Sequence, residues 1–210
     1  MQADLIFRNA RLIDGTGSAA QTGDLAVSGV RIVAMGALPD WRGGREIDCG
    51  GQVLAPGFID PHVHNDLAVL TDPGMDSVVS QGVTSIINGN CGFSIAPLRT
   101  GDALPDPMGM LFGKTPPVFA RFADYRARLE SEPPAVNSAC LIGHGTLRVN
   151  EVGDLARAAD AAETKAMAAS LDQALSDGGI GLSTGPFYPP ARASSTDELI
   201  AMARITQSHG

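Results

Sequence analysis

Two histidines one residue apart, His62 and His64, and a cysteine further along, Cys91, are the side chains of this 210-residue chain best suited to chemistry. The histidines close the run Gly57-Phe58-Ile59-Asp60-Pro61-His62-Val63-His64, which reads as a strand from Phe58 to His64. Side chains alternate along a strand, so His62 and His64 point to one side, as two ligands of one metal ion must. The competing reading is a pair of polar residues satisfied by water at a strand's end. Cys91 sits in Asn88-Gly89-Asn90-Cys91-Gly92, just past a second strand at Val83–Ile87. A thiolate there would be a strong zinc ligand, whereas an unemployed thiol packs as a small hydrophobe. Burial is the reading given to Cys49 and Cys140.

Two further segments offer polar or aromatic groups on the same side. His144, in Gly143-His144-Gly145-Thr146-Leu147-Arg148, either orients a substrate or stands behind the ligands, or else makes a structural hydrogen bond in a glycine-rich turn. Phe187 and Tyr188, in Ser183-Thr184-Gly185-Pro186-Phe187-Tyr188-Pro189-Pro190, either line an apolar pocket or pack their own loop. His209, at the end of a helical stretch, reads as a solvated cap.

These residues need elements to position them. Residues 4 to 54 break into short strands at Leu5–Phe7, Asp24–Val27, Arg31–Met35 and Gln52–Ala55, with Ser28-Gly29 as a hairpin turn, and predict a small antiparallel unit. From Phe58 strands alternate with helices: Phe58–His64, Val83–Ile87, Ser138–Ile142 and Ile180–Ser183 carry the four candidate segments at their C-terminal ends. Such a series implies a parallel sheet with ligands at those ends. Ala161–Ser176 places Met167, Leu171, Ala174 and Leu175 on one helical face and stops at Gly178-Gly179. The last helix opens on the capping box Ser195-Thr196-Asp197-Glu198 and is expected to turn Leu199, Ile200 and Ala203 inward. Thr100–Pro117, broken by four prolines and three glycines, reads as a long loop without helix that overhangs the active face.

Composition narrows the partners. Fifteen basic against 23 acidic residues give a net charge of −8, and no Lys/Arg cluster occurs, which argues against nucleic acid and anionic membrane surfaces. No run approaches the roughly 18 apolar residues of a membrane span. The N-terminus lacks a secretory pattern, so a cytoplasmic location and a small-molecule substrate are the expectation. Three cysteines at irregular spacing make a poor disulfide framework.

With these residues placed, the chain resembles the amidohydrolase superfamily, and within it the N-acyl-D-amino-acid deacylase, or D-aminoacylase, branch. The match runs through Pro56 to His64, Gln81-Gly82-Val83-Thr84, Gly89-Asn90-Cys91-Gly92-Phe93-Ser94, Gly143 to Arg148 and Gly181 to Pro190. The first motif indicates the superfamily; the Asn-Cys-Gly motif is narrower, since this branch uses cysteine where most two-metal relatives use a carboxylated lysine. The resemblance implies an α/β fold: a β-sandwich segment at residues 1–54, then the first half of a TIM-like (β/α)₈ barrel at 55–210. It also implies one or two zinc ions held by His62, His64 and Cys91. A zinc-activated hydroxide would hydrolyse an N-acyl-D-amino acid to a carboxylate and a D-amino acid, with Phe187 shaping the pocket and Tyr188 and His144 beside it as candidate substrate contacts.

The family's remaining metal-binding histidines and its acid/base aspartate are expected beyond Gly210, so no catalytic acid or base is identified in this chain. A full barrel takes roughly 250 residues, which leads to the expectation of an N-terminal portion completed by further sequence or by a second chain. The alternatives are a dihydropyrimidinase- or dihydroorotase-like hydrolase, which would call for a bridging lysine, and a noncatalytic fragment or a subunit of a split enzyme.

Overall fold

The computed structural model describes residues 1–113 and 115–209; Lys114, inside the Thr100–Pro117 segment, and Gly210 lie outside the described residues. The chain divides into two units, Met1–Gly57 and Phe58–Gly210.

The first unit is one five-stranded sheet. Its centre is the long strand β1 (Gln2–Leu12), antiparallel to β2 (Gln21–Ser28), which turns through Gly29-Val30 into antiparallel β3 (Arg31–Gly36). The other edge of β1 carries β4 (Arg42–Asp48) and β5 (Val53–Leu54), both parallel to it. The unit is therefore mixed, where the sequence led us to expect an antiparallel one. β4 reads Arg-Gly-Gly-Arg-Glu-Ile-Asp and carries no apolar alternation to betray it. It is held instead by charge: Arg8 of β1 donates to Glu46 at 2.9 Å, to Asp24 of β2 at 2.9 Å and to the Trp41 carbonyl at 2.7 Å. Ala3, Ile6, Ala26 and Leu38 form its small core.

In the second unit β6 (Phe58–Asp60), β7 (Val83–Asn88) and β8 (Asn137–Cys140) pair in parallel in that order, and β9 (Ile142–Gly143) pairs in parallel with β10 (Leu182–Ser183). Among the described residues eight α-helices complete it: α1 (Ala68–Thr71), α2 (Asp76–Val79), α3 (Met108–Phe112), α4 (Phe122–Ser131), α5 (His144–Glu151), α6 (Ala161–Ser176), α7 (Pro189–Arg192) and α8 (Thr196–Gln207). Its core runs from Ile86 of β7 through Phe93, Ile95 and Leu147 to Met167 and Leu171 of α6.

α6 follows its periodicity: Met167, Leu171, Ala174 and Leu175 are all buried, and Asp160 caps the first turn by accepting from the amides of Ala162 and Glu163. α8 does not. Ser195 accepts from the Glu198 amide as expected, but the inward residues are Glu198 and Met202, whereas Ile200 is 44% exposed and Ala203 faces solvent. The Glu198 side chain forgoes its return bond to the cap and turns inward to buried partners on α5, rotating the apolar positions outward. The Thr100–Pro117 segment also differs from expectation: it contains α3, whose Met108 and Phe112 are anchored in the core.

Candidate metal centre

β6 ends at Asp60, because Pro61 has no amide to continue the ladder. His62 and His64 therefore lie in the loop beyond the strand, and strand alternation is not what brings them together. Side-chain amides do that work. Asn90 donates to the carbonyls of Val63 (3.2 Å) and Ile87 (2.7 Å), Asn88 accepts from the Asn65 amide (2.9 Å), and the Val63 amide reaches the Ile87 carbonyl (3.2 Å). The loop is stitched to the end of β7, with the imidazole centroids of His62 and His64 5.8 Å apart and nearly perpendicular.

Cys91 occupies the next rim position in a left-handed conformation, φ 56°, ψ 19°, which costs a non-glycine residue roughly 1–2 kcal/mol. Packing enforces it. A Cβ on Gly89 would stand 1.9 Å from the Leu141 carbonyl, and one on Gly185 would stand 2.3 Å from the Cys91 carbonyl. Ser183, at the end of β10, donates to the Gly89 carbonyl and accepts from the Gly92 amide at 2.9 Å, clamping the turn from both sides.

The result is a three-donor cluster. His62 Nε2 lies 3.2 Å from Cys91 Sγ, and the ligand atoms of His62, His64 and Cys91 all fall within 4.8 Å of one another. Zinc bonds of 2.0–2.3 Å in a tetrahedron separate ligands by about 3.5 Å, so this donor set fits a zinc ion. Among the described residues His64 Nδ1 is buried without a hydrogen-bond partner. Burial, reinforced by neighbouring His62, pushes the His64 pKa down and favours the neutral ring that a metal requires.

His144 is placed differently from a substrate contact. It opens α5 fully buried, with Nδ1 3.1 Å from the Thr184 hydroxyl and Nε2 2.8 Å from Glu198, so neither ring nitrogen is left for a ligand. Behind it Arg148, also fully buried, spans both Glu198 oxygens at 2.5 and 2.6 Å and donates to the carbonyls of Pro190 (2.7 Å) and Arg157 (2.8 Å). Burial alone would raise the Glu198 pKa, but the bonds from His144 and Arg148 outweigh it and hold the carboxyl down at about 2. The exposed end of this chain is Thr184, whose backbone lies against Gly92. In the same turn Phe187 is 80% exposed, while Tyr188 is half-buried and packs edgewise on Phe93. Cys140 is buried, Cys49 only half-buried, and His209 pairs with Asp172 at 2.8 Å.

Among the described residues three buried acids, Asp66, Asp177 and Glu198, escaped the sequence reading, since nothing local marks an acidic residue as internal. The one signal for Asp66 is its position two residues beyond the histidine pair.

Residues 45–209 match the model of the Amidohydrolase family. The chain belongs to the amidohydrolase family. It is 50% identical over 199 residues to the N-acyl-D-aspartate deacylase of Alcaligenes xylosoxydans xylosoxydans, covering 95% of this chain and 40% of that protein. The crystal structure of D-aminoacylase superimposes with a TM-score of 0.96 at 45% identity, over 99% of this chain and 44% of the other. That of the N-acyl-D-glutamate deacylase from Bordetella bronchiseptica, complexed with zinc and a phosphonate mimic of the tetrahedral intermediate, superimposes with a TM-score of 0.93 at 36% identity, again over 99% and 44%. The α/β fold is thus that of D-aminoacylase, and the resemblance read from the motifs holds. The chain spans about two fifths of the length of these relatives. Among the described residues no helix is long and apolar enough to cross a membrane.

Proposed function

We propose that this chain contributes a metal-binding half-site to a zinc-dependent hydrolase that cleaves the amide of an N-acyl-D-amino acid, adding water across the C–N bond to yield a carboxylate and a D-amino acid. The observation that carries the reading is the convergence of one ligand atom each from His62, His64 and Cys91 within 4.8 Å of one another. The names of the similar proteins support the substrate class. Held by these three residues, one or two zinc ions would supply a Lewis acid to polarise the amide carbonyl and lower the pKa of water.

The chain's own residues divide the remaining work. The half-buried His64 keeps its lone pair available, and the clamp of Ser183 on Gly89 and Gly92 holds the backbone that carries the Cys91 thiol. Phe187, exposed on the neighbouring turn, lines the pocket for the acyl group or the amino-acid side chain, and Tyr188 supports it from beneath. His144 serves by fixing Thr184 rather than by touching substrate. In this reading residues 1–54 belong to a small β-sandwich and 55–210 form the first half of a TIM-like barrel. The parallel pairing of β6, β7 and β8 in chain order supports that assignment. Further ligands and the acid/base aspartate belong to the part of the relatives' length that this chain does not span.

Elemental analysis after gel filtration tests the reading. Zinc retained by the native chain and lost from Cys91→Ala is the expected result; a native chain that retains no zinc, or a variant that retains as much, would overturn it.

A further inference from the structure

Asp66 has no part in the site so far described, yet it is fully buried, and among the described residues no arginine or lysine pairs with it. Burying a carboxylate without a cation is unfavourable, so its contacts call for an explanation. Oδ2 accepts from the Gly89 amide and Oδ1 from the Ile95 amide, each at 3.3 Å, and the Cys140 thiol approaches Oδ1 at 3.9 Å. Its backbone carbonyl is fixed by the buried Tyr125 hydroxyl at 3.0 Å.

Gly89 and Ile95 flank Cys91, so the carboxylate spans the neck of the loop that carries the thiol. Three side chains bond amides of this loop: Ser183 takes Gly92, Thr146 takes Ser94 at 2.9 Å, and Asp66 takes Gly89 and Ile95. Of the three, Asp66 alone belongs to the segment that carries His62 and His64. Together with the Asn90 bond to the Val63 carbonyl, its reach fixes how far the thiol loop stands from the histidine loop.

We infer that Asp66 is a positioning residue of the metal centre: its carboxylate bridges the two ligand-bearing loops and sets the spacing at which His62, His64 and Cys91 bind one ion together. The inference rests on the metal-centre reading above. Groups that orient metal ligands from behind typically affect metal affinity by 10- to 100-fold.

The test is a cobalt(II) titration of the whole chain, following the thiolate-to-cobalt charge-transfer band, with zinc affinity measured by chelator competition and a urea titration run in parallel. Asp66→Asn keeps the size but turns one acceptor into a donor facing an amide; we expect its affinity to fall by about 10- to 100-fold and its band to weaken. Thr146→Val, equally buried and anchoring the same loop from α5, is expected to lose stability while keeping the native band and affinity. Should Asp66→Asn fail to fold, Asp66→Glu retains charge and acceptors but lengthens the strut by one methylene, and the same fall is expected. Native affinity and band in a folded Asp66 variant would overturn the inference while leaving the metal centre intact. A native chain that binds no cobalt would instead overturn the metal centre, and the inference with it.

Discussion

Replacing Arg148 with methionine tests whether the buried polar cluster behind Thr184 holds the second unit together. Arg148 is fully buried and Glu198 is 2% exposed, so Arg148→Met leaves a carboxylate in the interior with His144 and the Ala159 amide as its remaining partners. Breaking one side of a buried pair costs about 3–5 kcal/mol, against at most about 1 kcal/mol for an exposed pair such as Arg126–Glu130. The titration of Glu198 gives a second figure. Its folded pKa is depressed from 4.5 to about 2, so its stabilisation is fully present above about pH 4.5 and is lost as pH falls through about 2. That difference, the net of His144, Arg148 and the Ala159 amide against burial, is worth about 3 kcal/mol. Urea unfolding at neutral pH should show Arg148→Met less stable by the roughly 3–5 kcal/mol of a broken buried pair. The gap to the native chain should narrow as pH falls from about 4.5 towards 2, because the stranded carboxylate can then be protonated. Arg148→Met/Glu198→Leu should recover part of the loss, since it removes the stranded charge but leaves the Pro190 and Arg157 carbonyls and the His144 ring without these partners. A loss below about 1 kcal/mol in the single variant, or a gap that does not change with pH, would refute the reasoning.

Two further outcomes are expected. Gly89→Ala places a Cβ 1.9 Å from the Leu141 carbonyl at a φ of +74°, so it should destabilise by more than about 1 kcal/mol and lower zinc retention by displacing Cys91, both read on one purified sample. On α8, Met202→Ala should cost about 2–5 kcal/mol and Ile200→Ala under about 1 kcal/mol in urea titrations, since Met202 is fully buried and Ile200 is 44% exposed.

That contrast on α8 shows where sequence reasoning stopped. Periodicity located α6 and its inward face because its buried positions are apolar, Ser170 excepted. On α8 the inward position is Glu198, whose partners His144 and Arg148 lie 54 and 50 residues away, and no local pattern conveys such a pairing. The candidate ligands were legible as residue types, and the structure gathers all three, but by loop bonds from Asn88 and Asn90 rather than by the strand parity first invoked for His62 and His64. β4 escaped because its pairing is secured by Arg8 and Glu46, not by alternation. α3 escaped because proline and glycine density masked a single turn anchored by Met108 and Phe112.

The link from Glu198 through His144 to Thr184 bears on how far the rim turn can be treated as a module. Loops at the ends of parallel strands are the natural units to exchange when a different pocket is wanted. The turn from Ser183 to Pro190 is not independent in that sense: Thr184 is held by His144, the Pro190 carbonyl by Arg148, and both of those by Glu198 on the following helix. A graft of this turn from a homologue would have to carry the donor's residues at all three supporting positions, or arrive in the host with a buried charge left over.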